Sequence, residues 1–403
     1  YEIIKCDWSS DVCSSDLGVA GGSVVLEAGG AIAVNNNGGS QLGAITTSSA
    51  GNAGAGDVFI HHVSGAATNT ITLTGAINAV GGASGTPGTG SNGGAVTVWN
   101  EDGAISVDGT INVSKTGTGT NDGSIALKAT GNITDTATGS LVGDSNGSLK
   151  AWSTGGKIVL TQGPRTAGTA SGNLGDGTKG HQLATIAMRT DTTGADGSIT
   201  YLDQTGLTVG SVAAGGATPV SGSNANPSNV LAVTGMTTVA GTTTNYGATT
   251  VGGNLLQTGA GAVTQTAATT LSVTGTSGFT NGSGNDITLA NTGNNFGGVA
   301  TITSGKNVSL TDADDLSLLG TVSGNLTTVA GTSTNYGTTA VSGNLLQAGN
   351  GAVTQTAATT LSVTGTSGFD AGITSDVTLA NTGNNFGDLV TITSGSKIGR
   401  AHV

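Results

Sequence analysis

The segment TNYGATTVGGNLLQTGAGAVTQTAATTLSVTGTSGF, which begins at Thr244, returns from Thr334 as TNYGTTAVSGNLLQAGNGAVTQTAATTLSVTGTSGF. Tyr246 and Tyr336, Phe279 and Phe369, and Asn291 and Asn381 are each 90 residues apart. A shorter beat runs inside this unit, because SGNL at Ser323 recurs at Ser342, nineteen residues on. Repetition at a fixed period restricts a chain to architectures in which one short unit stacks on its neighbour.

Two architectures suit a 90-residue period. One is an immunoglobulin-like sandwich repeated in tandem. The other is about four coils of roughly 20 to 23 residues in a parallel β-solenoid. Core supply decides between them. A sandwich needs bulky inward residues on every strand, whereas only 3% of this chain is aromatic and 73 of its residues are glycine. A solenoid interior is thin and is filled by Val, Ile, Leu and Ala in stacked positions. The expected fold is therefore all-β, a β-solenoid.

The local text agrees. GSVVL from Gly22, GDVFI from Gly56, GAVTV from Gly94, GAISV from Gly103, GSIAL from Gly123, GKIVL from Gly156 and GSITY from Gly197 each pair a glycine with β-branched residues in alternation. That pattern marks a half-buried strand. Clusters such as NNNGG and DSNGS between them favour turns, since Gly and Asn tolerate positive φ. In the long repeat, Leu361 and Val363, Val377 and Leu379, and Val390 and Ile392 are expected to point inward, and the Asn and Gly residues of LANTGNNFGG at Leu289 and LANTGNNFGD at Leu379 are expected to turn corners.

The ends are written differently. Cys6 to Leu17, CDWSSDVCSSDL, holds both cysteines, and the chain closes with KIGRAHV. Back-translated, both segments resemble sequencing-library adapter. The expected organisation is thus an adapter-derived segment at 1–17, irregular solenoid coils with loop insertions over 18–230, the 90-residue repeat in solenoid form over 231–396, and an adapter-derived segment at 397–403.

A net charge of −12, without clustered Lys or Arg, excludes nucleic acid as a partner and disfavours an anionic membrane. No apolar run is long enough to span a bilayer as a helix. Candidate chemistry is sparse. Asp312, Asp314 and Asp315 in TDADDL could in principle hold calcium, but the text lacks the glycine and downstream glutamate of an EF-hand loop, and a polar corner between strands is expected. His61 and His62 are adjacent, so on a strand their rings point to opposite sides and cannot share one ion; a solvated pair at a coil edge is expected. His181 has no evident partner. GGASGTPGTGSNGG from Gly81 lacks the Lys-Ser or Lys-Thr and the helix of a phosphate loop, and reads as a loop leaving the solenoid. With these residues the expectation is no catalytic, cofactor or metal site. Outward threonines such as Thr301 and Thr303 raise an ice-surface reading, for which the irregular loops are unsuited.

The succession SGNLTTVAG, AVTQT, LSVTG, ITLANTGNNFGG and VSLTDADDLSLLG, with GAISVDGTINVS and GGAIAVNN upstream, resembles the repeat region of filamentous-haemagglutinin-type exoproteins of the two-partner secretion pathway. The resemblance covers most of 18–395. It implies a right-handed parallel β-helix, export across the Gram-negative outer membrane through a partner transporter, and adhesion at the cell surface to a receptor or glycan of a host or neighbouring cell. The alternatives are a β-helical carbohydrate-active enzyme or tandem immunoglobulin-like adhesin modules.

Overall fold

The computed structural model describes residues 23–29, 32–34, 44–48, 53–64, 69–82, 91–117, 119–120, 122–143, 146–162, 181–191, 198–203, 207–210, 231–233, 235–240 and 242–397. The expected adapter segment at 1–17 lies outside them, as do residues 398–403. Lys397 is described, and its carbonyl accepts the Val377 N–H at 3.0 Å. Two compact units are present, Tyr1–Thr234 and Gly235–Val403. Among the described residues neither contains a helix, and the strands pair in parallel. The antiparallel sandwich is thereby excluded, and each unit is a parallel β-solenoid.

In the first unit all seven glycine-led motifs form strands, from Val24–Ala28 to Ser198–Asp203. Successive coils place Val24, Val58, Val96, Ile125, Leu149 and Ile186 directly above one another, each at most 2% exposed. Parity explains this column, because alternate residues of a strand face the same side and a shared register stacks like on like. The coils here run from 23 to 41 residues, most of them longer than the expected 20 to 23. The strands keep one register, so the added length falls between them.

In the second unit one sheet steps through Thr244, Val263, Ile287, Val308, Leu326, Leu345, Ser367 and Val390, in coils of 18 to 24 residues. A second sheet runs from Gly235–Ala240 to Asn385–Phe386, and a short third one includes Thr249–Val251, Leu271–Val273 and Asn295–Phe296. Leu361, Val363, Val377 and Leu379 are buried as expected. Val390 and Ile392 are only half-buried, whereas their counterparts Ala300 and Ile302 are fully buried. No further coil among the described residues covers them.

The 90-residue repeat does not contain a whole number of coils. Thr244–Tyr246 lies in the first sheet, but its copy Thr334–Tyr336 lies in the second; Thr249–Val251 lies in the third and its copy Thr339–Val341 in the second; Leu255–Gly259 lies in the second and its copy Leu345–Gly349 in the first. Inside-outside parity is unchanged, since Leu255–Gly259 and Leu345–Gly349 have the same burial pattern. The repeat therefore advances by four coils and one further side, rather than by the four coils expected.

The nineteen-residue beat has a direct cause. Asp286 Oδ1 accepts the Asn307 N–H at 3.1 Å, Asn307 Oδ1 the Asn325 N–H at 3.0 Å, Asn325 Oδ1 the Asn344 N–H at 2.9 Å and Asn344 Oδ1 the Thr366 N–H at 2.9 Å. Each side chain thus caps the backbone of the coil that follows. The residue before Asn344 must be small: a Cβ on Gly343 would lie 2.4 Å from Asn325 Oδ1.

The expected corners form at Asn294 and Asn384. Asn294 is fully buried, accepts from Gln265 Nε2 at 2.6 Å and Leu271 N–H at 2.9 Å, and donates to Gln265 Oε1 at 2.9 Å and the Leu289 carbonyl at 3.2 Å. Asn384 repeats this set with Gln355, Leu361 and Leu379. Between corners, Ala268 and Ala358 each sit at φ 60°, a region costly for any residue with a Cβ. Ala358→Gly is expected to stabilise the chain by about 1 kcal/mol, read as a raised midpoint in thermal or urea unfolding; an unchanged or lowered midpoint would show that no strain is stored there.

Candidate functional site

Several of the chemically distinctive side chains of the first unit fall in one outward column. In register from coil to coil stand Glu27, His61, Trp99, Lys128, Trp152 and Arg189. From His61 to Arg189 each occupies the strand position whose neighbours, such as Val98 and Asn100 or Leu127 and Ala129, are buried inward.

Stacking sets the geometry. His61 lies flat on Trp99, with ring centroids 4.3 Å apart and planes 18° from parallel. The Lys128 ammonium is 4.5 Å from the Trp99 ring centroid and 4.8 Å from that of Trp152. The Arg189 guanidinium lies 5.1 Å from the Trp152 ring. Each such cation–aromatic contact contributes about 0.5–1 kcal/mol at an exposed site. Acids border the column. His61 Nδ1 is 3.2 Å from Glu27 and its Nε2 3.0 Å from Glu101, while Asp191 accepts from both Trp152 Nε1, at 2.8 Å, and Arg189. The Ser64 N–H, at 2.8 Å, holds the Glu101 carboxyl below its ordinary range, with His61 and Lys128 adding to it against partial burial. Desolvation pushes the Lys128 amine down, opposed by Glu101.

This arrangement decides what the tryptophans can do. Both faces of Trp99 are covered, one by His61 and one by Lys128, and both faces of Trp152 are covered by Lys128 and Arg189. Neither indole is a free platform for stacking a sugar ring. Their edges and the intervening cation are what the surface offers.

The other candidate residues are placed as follows. His61 and His62 do point to opposite sides, but neither is solvated: they are 5% and 0% exposed. His61 is packed within the column, and His62 faces inward, 3.2 Å from Asn69 Nδ2 and 3.1 Å from Asp102 Oδ1, the latter outside hydrogen-bonding geometry. His181 has partners after all. It is fully buried, its Nδ1 accepts the Leu141 N–H at 3.0 Å, its ring packs on Tyr201, and Nε2 lies 3.3 Å from Asp135 Oδ2 without hydrogen-bonding alignment. Tyr201 donates to Asp203 at 3.0 Å, and burial together with that carboxylate pushes the phenol well above its ordinary range. Coil closure assembles this cluster from residues 20 to 46 positions away from His181, which is why the linear text conceals it.

The acidic triplet is a polar corner. Asp312 is buried and accepts the Phe296 and Asp314 N–H groups, both at 2.8 Å. Burial nevertheless raises its carboxyl above the usual range. Asp314 accepts from Asn295 Nδ2 at 2.9 Å and Asp315 from Ser333 Oγ at 2.5 Å. Their oxygens hold neighbouring coils, and among the described residues no group of three or more His, Cys, Asp or Glu side chains is arranged around a metal position. The loop between Gly81 and Asn92 is described only at its ends.

The column went unread in the sequence, although a signal for it exists. The residue five places after the leading glycine is Glu27 from Gly22, His61 from Gly56, Trp99 from Gly94, Lys128 from Gly123 and Trp152 from Gly147. Aligning the motifs on their glycines, not on residue number, would have exposed it.

Among known proteins, the family described as repeats of unknown function (DUF5649) matches residues 241–303 and 323–393. These spans fall on the two copies of the long repeat. No curated protein and no solved structure matches the chain.

Proposed function

We propose that this chain is a non-catalytic segment of a secreted bacterial exoprotein of the filamentous-haemagglutinin type, serving as a stiff stalk in cell adhesion or biofilm. Its place is the surface of a Gram-negative cell, reached through an outer-membrane partner transporter, and its counterpart is a receptor or glycan on a host or neighbouring cell. The observation that carries this reading is the use of polar side chains as ties between coils. Asp286, Asn307, Asn325 and Asn344 cap successive backbones, and Asp312, Asp314 and Asp315 each bind an adjacent strand or turn. A chain so constructed resists local opening, since every coil is held by both neighbours. An enzyme on the same architecture would need carboxylates left open to substrate.

Beads coated with the purified chain are expected to attach to epithelial or bacterial cells above the level of albumin-coated beads, while releasing no reducing ends from polysaccharides. Asp314→Ala should leave attachment unchanged. Cleavage by the parent that disappears in Asp314→Ala, with thermal stability retained, would replace the adhesive reading with an enzymatic one.

A further inference from the structure

Of the two cations in the outward column, Arg189 is bound by Asp191 whereas the hydrogen-bonding capacity of Lys128 is left unused. An ammonium carries three N–H donors. Among the described residues Lys128 makes no hydrogen bond and no ion pair; its amine lies over the two indole faces at 4.5 and 4.8 Å, with the Glu101 charge acting on it from farther off. Stacking between rings compensates its charge in part but satisfies no donor. The half-buried amine opens onto a shallow cleft shared with Trp99, Glu101, Thr130 and Thr154. Thr130 donates its hydroxyl to the Glu101 carbonyl and so keeps lone pairs for an incoming donor, and the Thr154 hydroxyl has no partner among the described residues.

We propose that Lys128 and this cleft bind a sparsely carboxylated polysaccharide, the ammonium taking a sugar carboxylate and the threonine hydroxyls taking ring hydroxyls. This rests on the adhesive reading above and names its ligand class. Three features select that chemistry. A cation with unused donors, whose acidic neighbour Glu101 lies beyond hydrogen-bond reach, calls for an oxyanion. The cleft is shallow, and both indole faces are already covered, so it has no slot for an apolar or aromatic peptide side chain. Glu27, Glu101 and Asp191 border the column, and the whole chain carries −12. A densely sulfated chain would meet these carboxylates at close range, whereas a glycan with one carboxylate per two sugars can place its charge at Lys128 and present hydroxyls to the acids.

The test uses the full chain and intrinsic tryptophan fluorescence, since Trp99 and Trp152 flank the amine, with calorimetry as the second readout. The probes are hyaluronan oligosaccharides, heparin oligosaccharides and dextran. Hyaluronan fragments are expected to shift the emission and to bind less tightly as salt rises; heparin is expected to bind at least tenfold more weakly, and dextran not at all. Lys128→Met should weaken hyaluronan binding at least tenfold, and Lys128→Arg, which keeps the charge and the stacking, should retain most of it. Should the Met variant unfold, Thr154→Val reports on the same cleft through a several-fold loss. Absent hyaluronan binding, undiminished binding by a folded Lys128→Met, or equal or tighter binding of heparin or dextran overturns the proposal. The chain-coated bead assay run alongside separates the two readings: attachment without hyaluronan binding removes the ligand assignment alone, and hyaluronan binding without attachment removes the adhesive role alone.

Discussion

Val363→Asp is expected to melt the coils around it at neutral pH. Val363 is 1% exposed and is stacked between Val341 and Phe386, which are themselves buried. A carboxylate there loses its hydration and gains no counter-charge, which costs several kcal/mol even after relaxation. In a stacked architecture the damage passes to nearest neighbours, so hydrogen exchange should lose protection across the strands bearing Val341, Val363 and Phe386 together. The effect should depend on pH in a defined direction. Burial raises the folded-state pKa of the new carboxyl, so the neutral form is the one the fold tolerates. The variant should be most stable below about pH 3.9, the value of a free aspartate. Stability should then fall as pH rises up through the raised folded value, and level off above it. Val363→Ala, which removes volume without adding charge, should cost about 1–3 kcal/mol with no such pH dependence. Protection unchanged in Val363→Asp at pH 7 would show that this position does not face a packed interior.

Gly351→Ala should rank second. A Cβ there would fall 1.1 Å from the Thr332 carbonyl oxygen and 2.2 Å from its carbon, and the equivalent Cβ on Gly261 would fall 1.7 Å from the Thr242 oxygen. The obstacle is backbone of the preceding coil, which no rotamer change can clear, so the coils must part. The expected cost is about 3 kcal/mol, seen as a fall of roughly 10 °C in Tm. Gly284→Ala is the control, because nothing lies within 4 Å of its Cβ position. Equal Tm values for the two variants would disprove the close approach of the coils at Gly351.

What could be read in advance was whatever parity and local chemistry encode. The strand starts at Gly94 and Gly123, the inward pairs Leu361 with Val363 and Val377 with Leu379, and the corner asparagines at 294 and 384 all follow from alternation and turn preference, which act over a few residues. What escaped depends on accumulated length. The sheet that Thr334 joins is set by the sum of all coils since Thr244, and a coil as short as 18 residues, from Val308 to Leu326, enters that sum. The column through Trp99, Lys128 and Trp152 is spaced unevenly for the same reason. His181 was read as isolated because Asp135, Leu141 and Tyr201 approach it only when the coils close.

The extra side in each repeat has a geometric result for anything the second unit displays. Leu256 and Leu346 are copies of one exposed residue, at 46% and 53% exposure, yet they stand on different sheets. With neighbouring rungs about 4.8 Å apart, the pair is separated by roughly 21 Å along the stack and also by one face around it. Further repeats built alike would trace a screw, returning to the same orientation only at every third copy. A flat, rigid counter-surface could then touch no two consecutive copies at once. A soft, enveloping material such as a hydrated glycan layer could meet every one, and would gain avidity from all directions without the chain having to turn.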